Sequence, residues 1–350
     1  MLKLITKSLS ATLGTKKLIV LNFHRVKPDE EIDTFDDALP LSLFKKQMAW
    51  LNRHFNVLSV DDAIEKFKSK RIPSRAVCIT VDDGYVDSYQ YIYPVLKELN
   101  ISAAFFVSTV GIDDGFLWND KIVQAVVQSN VDKIEFKGTV LPLASVSDKQ
   151  AAVNYLLNKI KYMPLVEREQ STDNLYLQCG TPNIPHQFLN VNQIKELHDN
   201  GMTIGAHTCR HPILAIEKLR VAEAEILHGK QRLEKIIGDD VIYFAYPNGK
   251  LWKDFDTRHM DLLKRLGFRA ALSSDWGVID KQSDVYSLPR YTPWDDTEFK
   301  FCLRLAKAFQ ASSNKEYALR QFDQPIENKR VVLVVAFDFP PCKSAGVQRT

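Results

Sequence analysis

Short apolar runs with many β-branched residues alternate with amphipathic helical patterns along most of the chain, and this alternation restricts the fold more than any other feature. It is typical of parallel strands connected by helices, because a parallel connection needs a crossover. The clearest helical pattern covers 219–237 and precedes Gly238, a residue type that favours the left-handed end of a helix. The predicted strands are Leu18 to Phe23, Ala76 to Val81, Ala103 to Ser108, Thr203 to Ala206, Val241 to Tyr246 and Arg269 to Ser273.

The composition argues against several other classes of protein. The 350 residues carry a formal net charge of +3, which is too small to indicate a nucleic-acid-binding protein. The 5 cysteines are widely spread and form no CxxC pair, so neither a disulfide framework nor a cysteine zinc site is expected. We find no apolar run of the length that a signal peptide or a membrane span needs. We therefore expect a cytoplasmic protein.

The pattern divides the sequence into four parts. Residues 1–17 are basic, with apolar residues at near-helical spacing, and they predict either a solvated helix or a helix in peripheral contact with anionic lipid at the inner face of the membrane. Residues 18–310 form the predicted main domain, and the strand and helix alternation breaks between about 111 and 190, where we expect an insertion. Residues 311–328 are polar and predict a linker, and a β-branched run begins within 329–350.

Polar side chains follow most of the predicted strands at the point where each strand ends. In parallel α/β folds the carboxyl ends of the strands meet at one edge, and ligands bind there. The sequence therefore predicts that these side chains lie close together in a functional site. They are His24 after the first strand, Asp82 and Asp83 after the second, His207 and His211 after the fourth, Asn248 after the fifth, and Asp275 after the sixth.

Two of these groups have alternative interpretations. Two histidines four residues apart, such as His207 and His211, bind a metal ion when a carboxylate lies nearby, and otherwise they are unrelated surface residues. The adjacent acids Asp82 and Asp83 end an apolar strand, which is costly unless something pairs with them. They suit a metal or acid–base site, or else a structural cap with a solvated turn. A phosphoaspartate enzyme would need another acid at the position of Gly84.

Taken together, four segments resemble the polysaccharide deacetylase family, whose domain is homologous to the chitooligosaccharide deacetylase of nodulation. Leu21 to Val26 resembles its amino-terminal histidine segment, and Thr80 to Gly84 resembles its paired-aspartate motif. His207 to His211 resembles its metal-histidine motif, and Phe244 to Gly249 resembles its third motif. The resemblance extends over about 18–295. It implies an α/β fold, namely a deformed, incomplete (β/α) barrel of the NodB-homology type with an insertion.

The resemblance also implies a metal centre and a general base. Asp83, His207 and His211 would bind a divalent ion, most simply Zn²⁺, although two histidines and a carboxylate also suit Fe(II). Asp82 would be the general base that activates the water nucleophile.

The third and fourth motifs would contact the substrate. Tyr246 and Asn248 lie in the third motif, where a main-chain N–H near Asn248 would stabilise the developing oxyanion. This motif departs from the family pattern, because Ala245 stands at the position of its arginine and Asn248 at that of its tyrosine. Trp276 resembles part of a fourth motif and would pack against a sugar face or in the core.

A further departure concerns the general acid. The late histidine that often supplies the acid in this family is replaced by Arg290. Related subfamilies carry a histidine near the amino terminus instead, and His24 is the matching position. We therefore expect His24 to be the acid and Arg290 to steady Asp82. The alternatives are a buried structural histidine and an ordinary salt bridge.

These features predict a metal-dependent hydrolase that removes acetyl groups from an N-acetylated sugar or glycan during surface polysaccharide biosynthesis. The alternatives are a carbohydrate-binding or scaffold protein that keeps the fold without turnover, and a deacylase of a non-sugar amide. The segment 329–350 resembles the start of a nucleotide-sugar glycosyltransferase, so a fused enzyme is expected there, with an unrelated tail as the alternative.

Overall fold

The structure is a computed structural model and describes residues 16–310. Its centre is a sheet of seven parallel strands, in the order β1, β5, β6, β9, β10, β11, with β4 paired to β5. The strands of the described chain are β1 Leu18–Phe23, β2 Val26–Lys27, β3 Leu39–Pro40, β4 Asn56–Val57, β5 Ala76–Val81, β6 Ala104–Val107, β7 Lys133–Phe136, β8 Thr139–Pro142, β9 Thr203–Ala206, β10 Tyr243–Ala245 and β11 Ala270–Leu272.

Helices cover the sheet and connect its strands. The helix that follows β9 and a short 3-10 helix covers Leu219–Ile237 as predicted, and Gly238 ends it with a left-handed φ of 75°. The α-helices of the described chain are α1 Leu41–His54, α2 Val60–Lys68, α3 Tyr93–Glu98, α4 Val110–Asp114, α5 Trp118–Gln128, α6 Val146–Ile160, α7 Leu165–Gln178, α8 Val191–Asp199, α9 Leu219–Ile237, α10 Thr257–Arg265 and α11 Glu298–Ala308. Single turns of 3-10 or π-helix occur at Asp29–Glu31, Ser88–Ile92 and Leu214–Ile216.

The central strands are buried on both faces, which explains why their sequences are continuous apolar runs. Every residue of β1 and β5 is buried. The sheet curls into a half-barrel, so the predicted incomplete (β/α) barrel is confirmed. The open side between β11 and β1 is bridged by irregular chain: Leu288 pairs with Leu272, and Tyr291 pairs with Leu21. Residues 288–291 therefore lie between two strands without forming a regular strand.

All six predicted strands are present. β1, β5 and β9 have the predicted bounds, whereas β6, β10 and β11 are shorter at one or both ends. The residues lost from the carboxyl ends, such as Tyr246 and Ser273, are the first residues of loops at the edge where the strands end. The short strand β4 was not predicted, because two residues show no periodicity.

The chain between β6 and β9 has its own secondary structure and apolar core. It contains α4 to α8 and the antiparallel hairpin of β7 and β8, with the register Ile134 opposite Leu141. Its core consists mainly of side chains from α5, α6, α7 and the hairpin, including Ile122, Val126 and Leu156. The proposed domain bounds, with an insertion at about 111–190, stay a prediction.

Several predictions fall on residues that lie outside the described range. These are the lipid-contacting helix, of which only 16 and 17 are described, the linker at 311–328 and the glycosyltransferase-like segment at 329–350. Within 16–310, no helix combines the length and the apolar character that a membrane crossing requires.

Candidate active site

Asp83, His207 and His211 meet at the carboxyl edge of the sheet. Asp83 comes two residues after β5 ends, and His207 directly follows β9. Oδ1 of Asp83 lies 3.3 Å from Nε2 of His207 and 3.4 Å from Nε2 of His211. The potential ligand atoms all lie within 4.8 Å of one another. The structure therefore brings together the three residues predicted to bind a metal ion.

The protonation of this cluster suits a cation. Burial alone would raise the pKa of Asp83, but hydrogen bonds from His207 and His211 hold that pKa well below its usual range. Burial lowers the pKa of His211, which favours the neutral imidazole. Nδ1 of His207 lies 2.7 Å from the carbonyl oxygen of Ala245, so a neutral imidazole with its proton on Nδ1 would present the Nε2 lone pair to a cation in place of the hydrogen bond to Asp83.

The donor atoms of Asp83, His207 and His211 suit a divalent metal ion. One carboxylate and two Nε2 atoms at this spacing are the ligands that Zn²⁺ prefers, with an open position for another ligand. The buried Nδ1 atom of His211 has no hydrogen-bond partner among residues 16–310. Asp83 and His211 have φ angles of 74° and 56°, in the left-handed region that non-glycine residues seldom adopt. The residues fit a divalent ion, and the choice of metal stays a prediction.

Asp82 and Arg290 form a buried ion pair beside this cluster. Each side chain is 2% exposed, and two guanidinium nitrogens donate to the two carboxylate oxygens at 2.7 Å each. Arg290 also donates to Asn22, to Thr80 and to the carbonyl oxygen of Ser273. Burial alone would raise the pKa of Asp82, but Arg290 outweighs it and the pKa is lowered. The structure places Arg290 in direct contact with Asp82, and its role in steadying that acid stays a prediction.

His24 also lies close to Asp82, near the same carboxylate oxygen that Arg290 contacts. Its Nε2 is 3.9 Å from Oδ2 of Asp82, and its side chain is 20% exposed. It is therefore neither fully buried nor far from the acid pair, which is the position that a proton donor to a bound substrate needs. The structure places His24 where the predicted role requires, and the role itself stays a prediction.

The residues predicted to contact the substrate differ in position. Tyr246 and Asn248 line the same cleft as the acids and histidines. The hydroxyl of Tyr246 donates to the carbonyl oxygen of Tyr286, and its ring is stacked on Phe255 with centroids 3.6 Å apart. The side chain of Tyr246 is therefore also part of the core. Trp276 is 42% exposed and is not part of the cleft lining.

Trp276 instead belongs to an aromatic group beside the cleft. Its ring centroid lies 5.1 Å from those of both Tyr291 and Trp294. The structure therefore does not bring Trp276 to the cleft with the other predicted site residues.

The cleft has a volume of about 220 Å³ and two walls. One wall is the strand edge with Asp82, Asp83 and the histidines. The other wall comes from the chain between β6 and β9 and from the loop after β2. Residues from this second wall include Phe35, Trp118, Asp120, Gln124, Leu157 and Lys161.

Sequence reasoning missed Arg168 of α7, which holds the metal-histidine loop. Arg168 is 2% exposed, and its guanidinium donates to the carbonyl oxygens of Arg210 and His211 at 2.6 and 2.8 Å. The same group lies 5.1 Å from the ring centroid of Trp118. Burial lowers the pKa of Arg168 to about 10, so the group stays protonated at neutral pH. The sequence signal for Arg168 is weak, because a single arginine in a polar helix looks like a solvent-exposed residue.

A second missed group follows the aspartate pair. Arg25 forms an ion pair of 2.7 Å with Asp87 and lies 4.2 Å from the ring centroid of Tyr85, whose hydroxyl donates to Asp120. The one available signal was local: Tyr85 and Asp87 closely follow the acid pair, and Arg25 directly follows His24. Nothing in the sequence connected Asp120 to them.

The fold and the site together define a hydrolase built on an incomplete barrel, with its polar centre at the carboxyl edge. Residues 69–271 match the family model described as polysaccharide deacetylase. The chain therefore belongs to the polysaccharide deacetylase family, and the predicted class, hydrolases acting on carbon–nitrogen bonds other than peptide bonds, is confirmed.

Individual relatives agree with this assignment. The poly-beta-1,6-N-acetyl-D-glucosamine N-deacetylase of Staphylococcus epidermidis is 25% identical over 209 residues, which are 53% of this chain and 71% of that protein. The protein YxkH of Bacillus subtilis is 32% identical over 93 residues, 26% of this chain, and the match spans only 32% of its length. The Streptococcus pyogenes deacetylase PplD, solved with acetate, has a similar fold, with a TM-score of 0.56, 18% identity, and coverage of 82% of this chain and 97% of that one.

Proposed function

We propose that this protein removes acetyl groups from an amino sugar in a polysaccharide, oligosaccharide or lipid-linked glycan during surface polysaccharide biosynthesis. The observation that carries the proposal is the cluster of Asp83, His207 and His211 directly beside the buried acid Asp82. The staphylococcal relative named for poly-beta-1,6-N-acetyl-D-glucosamine supports an N-acetylglucosamine substrate. The cytoplasmic location, the membrane contact and the fused glycosyltransferase stay predictions.

Asp83, His207 and His211 are the residues that would hold the divalent ion. A bound Zn²⁺ supplies Lewis acidity, which lowers the pKa of water and polarises a carbonyl oxygen. The protein positions the ligands through the contact of His207 with Ala245 and through the two bonds from Arg168 to the loop. Such supporting contacts fix the orientation of ligand side chains.

Asp82 accepts the proton of the attacking water. Arg290 keeps Asp82 ionised and fixes the plane of its carboxylate, because both oxygens are held by the guanidinium fork. The water oxygen adds to the amide carbonyl carbon. A main-chain N–H near Asn248 lies at the same edge and stabilises the negative charge that develops on the carbonyl oxygen.

His24 supplies the proton that the amine needs when it leaves. The imidazolium form of His24 donates this proton from a partly exposed position beside Asp82. The carbon–nitrogen bond then breaks, acetate is released, and the sugar keeps a free amine. The proton taken by Asp82 and the proton given by His24 balance the reaction.

The experiment is acetate release from a panel of N-acetylated oligosaccharides, combined with metal analysis of the same samples. We expect His207→Ala and Asp83→Ala to lose both bound metal and acetate release. The control is His228→Ala, because His228 is an exposed histidine on α9, away from the cleft lining. Full activity and metal content in the ligand variants would contradict the proposal. Glycan binding by the native protein without acetate release would favour the carbohydrate-binding alternative.

A further inference from the structure

Asp120 is a buried acid in the substrate cleft that the proposed chemistry does not use. It belongs to the first turn of α5, is 8% exposed, and lines the cleft together with Asp83 and His211. Burying a carboxylate costs free energy unless hydrogen bonds or a cation compensate it. The hydrogen-bond partners of Asp120 therefore show whether contacts within the protein offset the free energy of burying it.

The compensation is incomplete. The hydroxyl of Tyr85 donates to Oδ1 at 2.9 Å and lies 3.1 Å from Oδ2, and the main-chain N–H of Leu117 donates to Oδ2 at 2.8 Å. The side-chain amide of Asn119 also donates to Oδ1, at 3.5 Å. An ionised carboxylate has about four acceptor positions, so these three donors still leave capacity for another. Within residues 16–310, no lysine or arginine forms an ion pair with Asp120, since Arg25 pairs with Asp87 and Lys121 pairs with Asp173. Burial raises the pKa of Asp120 to about 6, which still leaves it largely ionised at pH 7.

The surroundings hold this carboxylate in place. The ring of Tyr85 lies between the guanidinium of Arg25 on one face, 4.2 Å from the centroid, and the ring of Phe188 at a centroid distance of 4.5 Å. Tyr85 is 3% exposed and Phe188 is 1% exposed. A hydroxyl with so little freedom fixes the position of the acid to which it donates.

We propose that Asp120 binds the sugar ring of the substrate by accepting hydrogen bonds from its hydroxyl groups. A neutral, hydroxyl-rich ligand supplies donors without adding a second buried charge, and hydrogen bonds to an ionised acceptor are about twice as strong as neutral ones. Asp120 thereby orients the sugar in the cleft whose other wall carries the acid pair and the histidines. This inference rests on the proposed function only in taking a sugar as the ligand.

A matched pair of substitutions tests the inference. Asp120→Asn removes the charge, and Asp148→Asn is the control, because Asp148 holds the same place in α6: its carboxylate accepts the N–H of Ser145 at 3.0 Å, as that of Asp120 accepts the N–H of Leu117. Asp148 is partly exposed and does not line the cleft. Loss of a helix-start contact therefore affects both variants, whereas loss of a sugar contact affects only Asp120→Asn.

The probe is a pentamer of β-1,6-linked N-acetylglucosamine, with its dissociation constant measured by calorimetry and acetate release followed in the same samples. We expect Asp120→Asn to weaken binding by about tenfold to a hundredfold, as for a lost charged hydrogen bond, and Asp148→Asn to match the native protein. An O-methylated pentamer lacks the hydroxyl donors and should bind the native protein and Asp120→Asn equally.

Binding of the unmodified pentamer within twofold of native by Asp120→Asn would overturn the inference. If that variant does not fold, Asp120→Glu replaces it, since it keeps the charge but moves the carboxylate along the cleft and should also weaken binding. Weaker pentamer binding in Asp120→Asn supports the sugar contact even if the native protein releases no acetate, in which case the proposed deacetylation fails by itself.

Discussion

Replacement of Arg290 by methionine should destabilise the protein strongly, because it leaves the charge of Asp82 buried and unpaired. Both side chains are 2% exposed and share two bonds of 2.7 Å. Removing one partner of a buried pair typically costs about 3–5 kcal/mol. Arg290 also donates hydrogen bonds to Asn22, Thr80 and the carbonyl oxygen of Ser273. Because the substitution removes these bonds too, we expect the loss of unfolding free energy to lie in the upper half of that range.

The pH dependence of this loss identifies its cause. In the native protein the pKa of Asp82 is lowered, so its contribution to stability is present above the pKa of the unfolded chain and is lost as pH falls through the folded pKa. In Arg290→Met, burial acts on Asp82 without the arginine and raises its pKa. The variant should therefore show its largest deficit in stability near neutral pH and a smaller deficit at acidic pH, where Asp82 becomes neutral.

Urea unfolding followed by circular dichroism, in the presence of a chelator, measures this deficit. The control is Arg258→Met, because Arg258 also lies 2.7 Å from a carboxylate oxygen, that of Asp256, but is 61% exposed. Ion pairs between exposed side chains contribute little to stability, so Arg258→Met should unfold at nearly the same urea concentration as the native protein. The double variant Asp82→Asn, Arg290→Met should recover part of the loss. A deficit below about 1 kcal/mol, or one that does not shrink on acidification, would refute the reasoning.

Three further predictions concern the second wall of the cleft. Arg168→Lys should weaken metal binding by about tenfold or more, because one ammonium cannot donate to the carbonyl oxygens of both Arg210 and His211. A competition with a chromophoric chelator measures this affinity. The control, Thr172→Val on the same helix, should change stability but not metal affinity. The folded pKa of Asp120, about 6, lies above that of an unfolded aspartate, so its ionisation costs stability progressively between about pH 4 and 6. As pH rises through this interval, the melting temperature of Asp120→Asn should increase relative to that of the native protein. A difference in melting temperature that does not depend on pH would contradict the raised pKa of Asp120. Gly111→Ala should cost about 1–3 kcal/mol in urea unfolding, because the new Cβ would lie 2.1 Å from the ring of Phe188; an unchanged midpoint would show that the ring can move.

Local sequence signals predicted the sheet and the residues at its edge. β1, β5 and β9 were predictable because they are almost entirely buried and their sequences are mainly apolar, with one polar residue each at Asn22, Thr80 and Thr203. Once the strands are known to be parallel, Asp83 and His207 must lie at the same edge. The contact of Arg290 with Asp82 followed from the family resemblance, since the two residues are far apart in sequence.

The second wall could not be predicted in this way. Arg168 and Asp120 belong to amphipathic helices, and their polar residues look alike in sequence whether they face solvent or a cleft. Their positions depend on how the chain between β6 and β9 packs against the barrel, which no local pattern encodes. The irregular bridge at 288–291 was also missed, because it pairs with β11 and β1 without strand periodicity.

The position of Arg168 has a thermodynamic consequence for the two ligands proposed for this protein, the divalent ion and the sugar. Through Arg168 the metal-histidine loop contacts Trp118, which is two residues from Asp120 in the same helix. If the ion orders the loop and thereby this helix, it raises the affinity for the sugar, and linkage requires that the sugar raise the affinity for the ion by the same factor. Cofactor and substrate would then be heterotropic ligands of one chain, and a cell short of the metal would lose glycan binding together with catalysis.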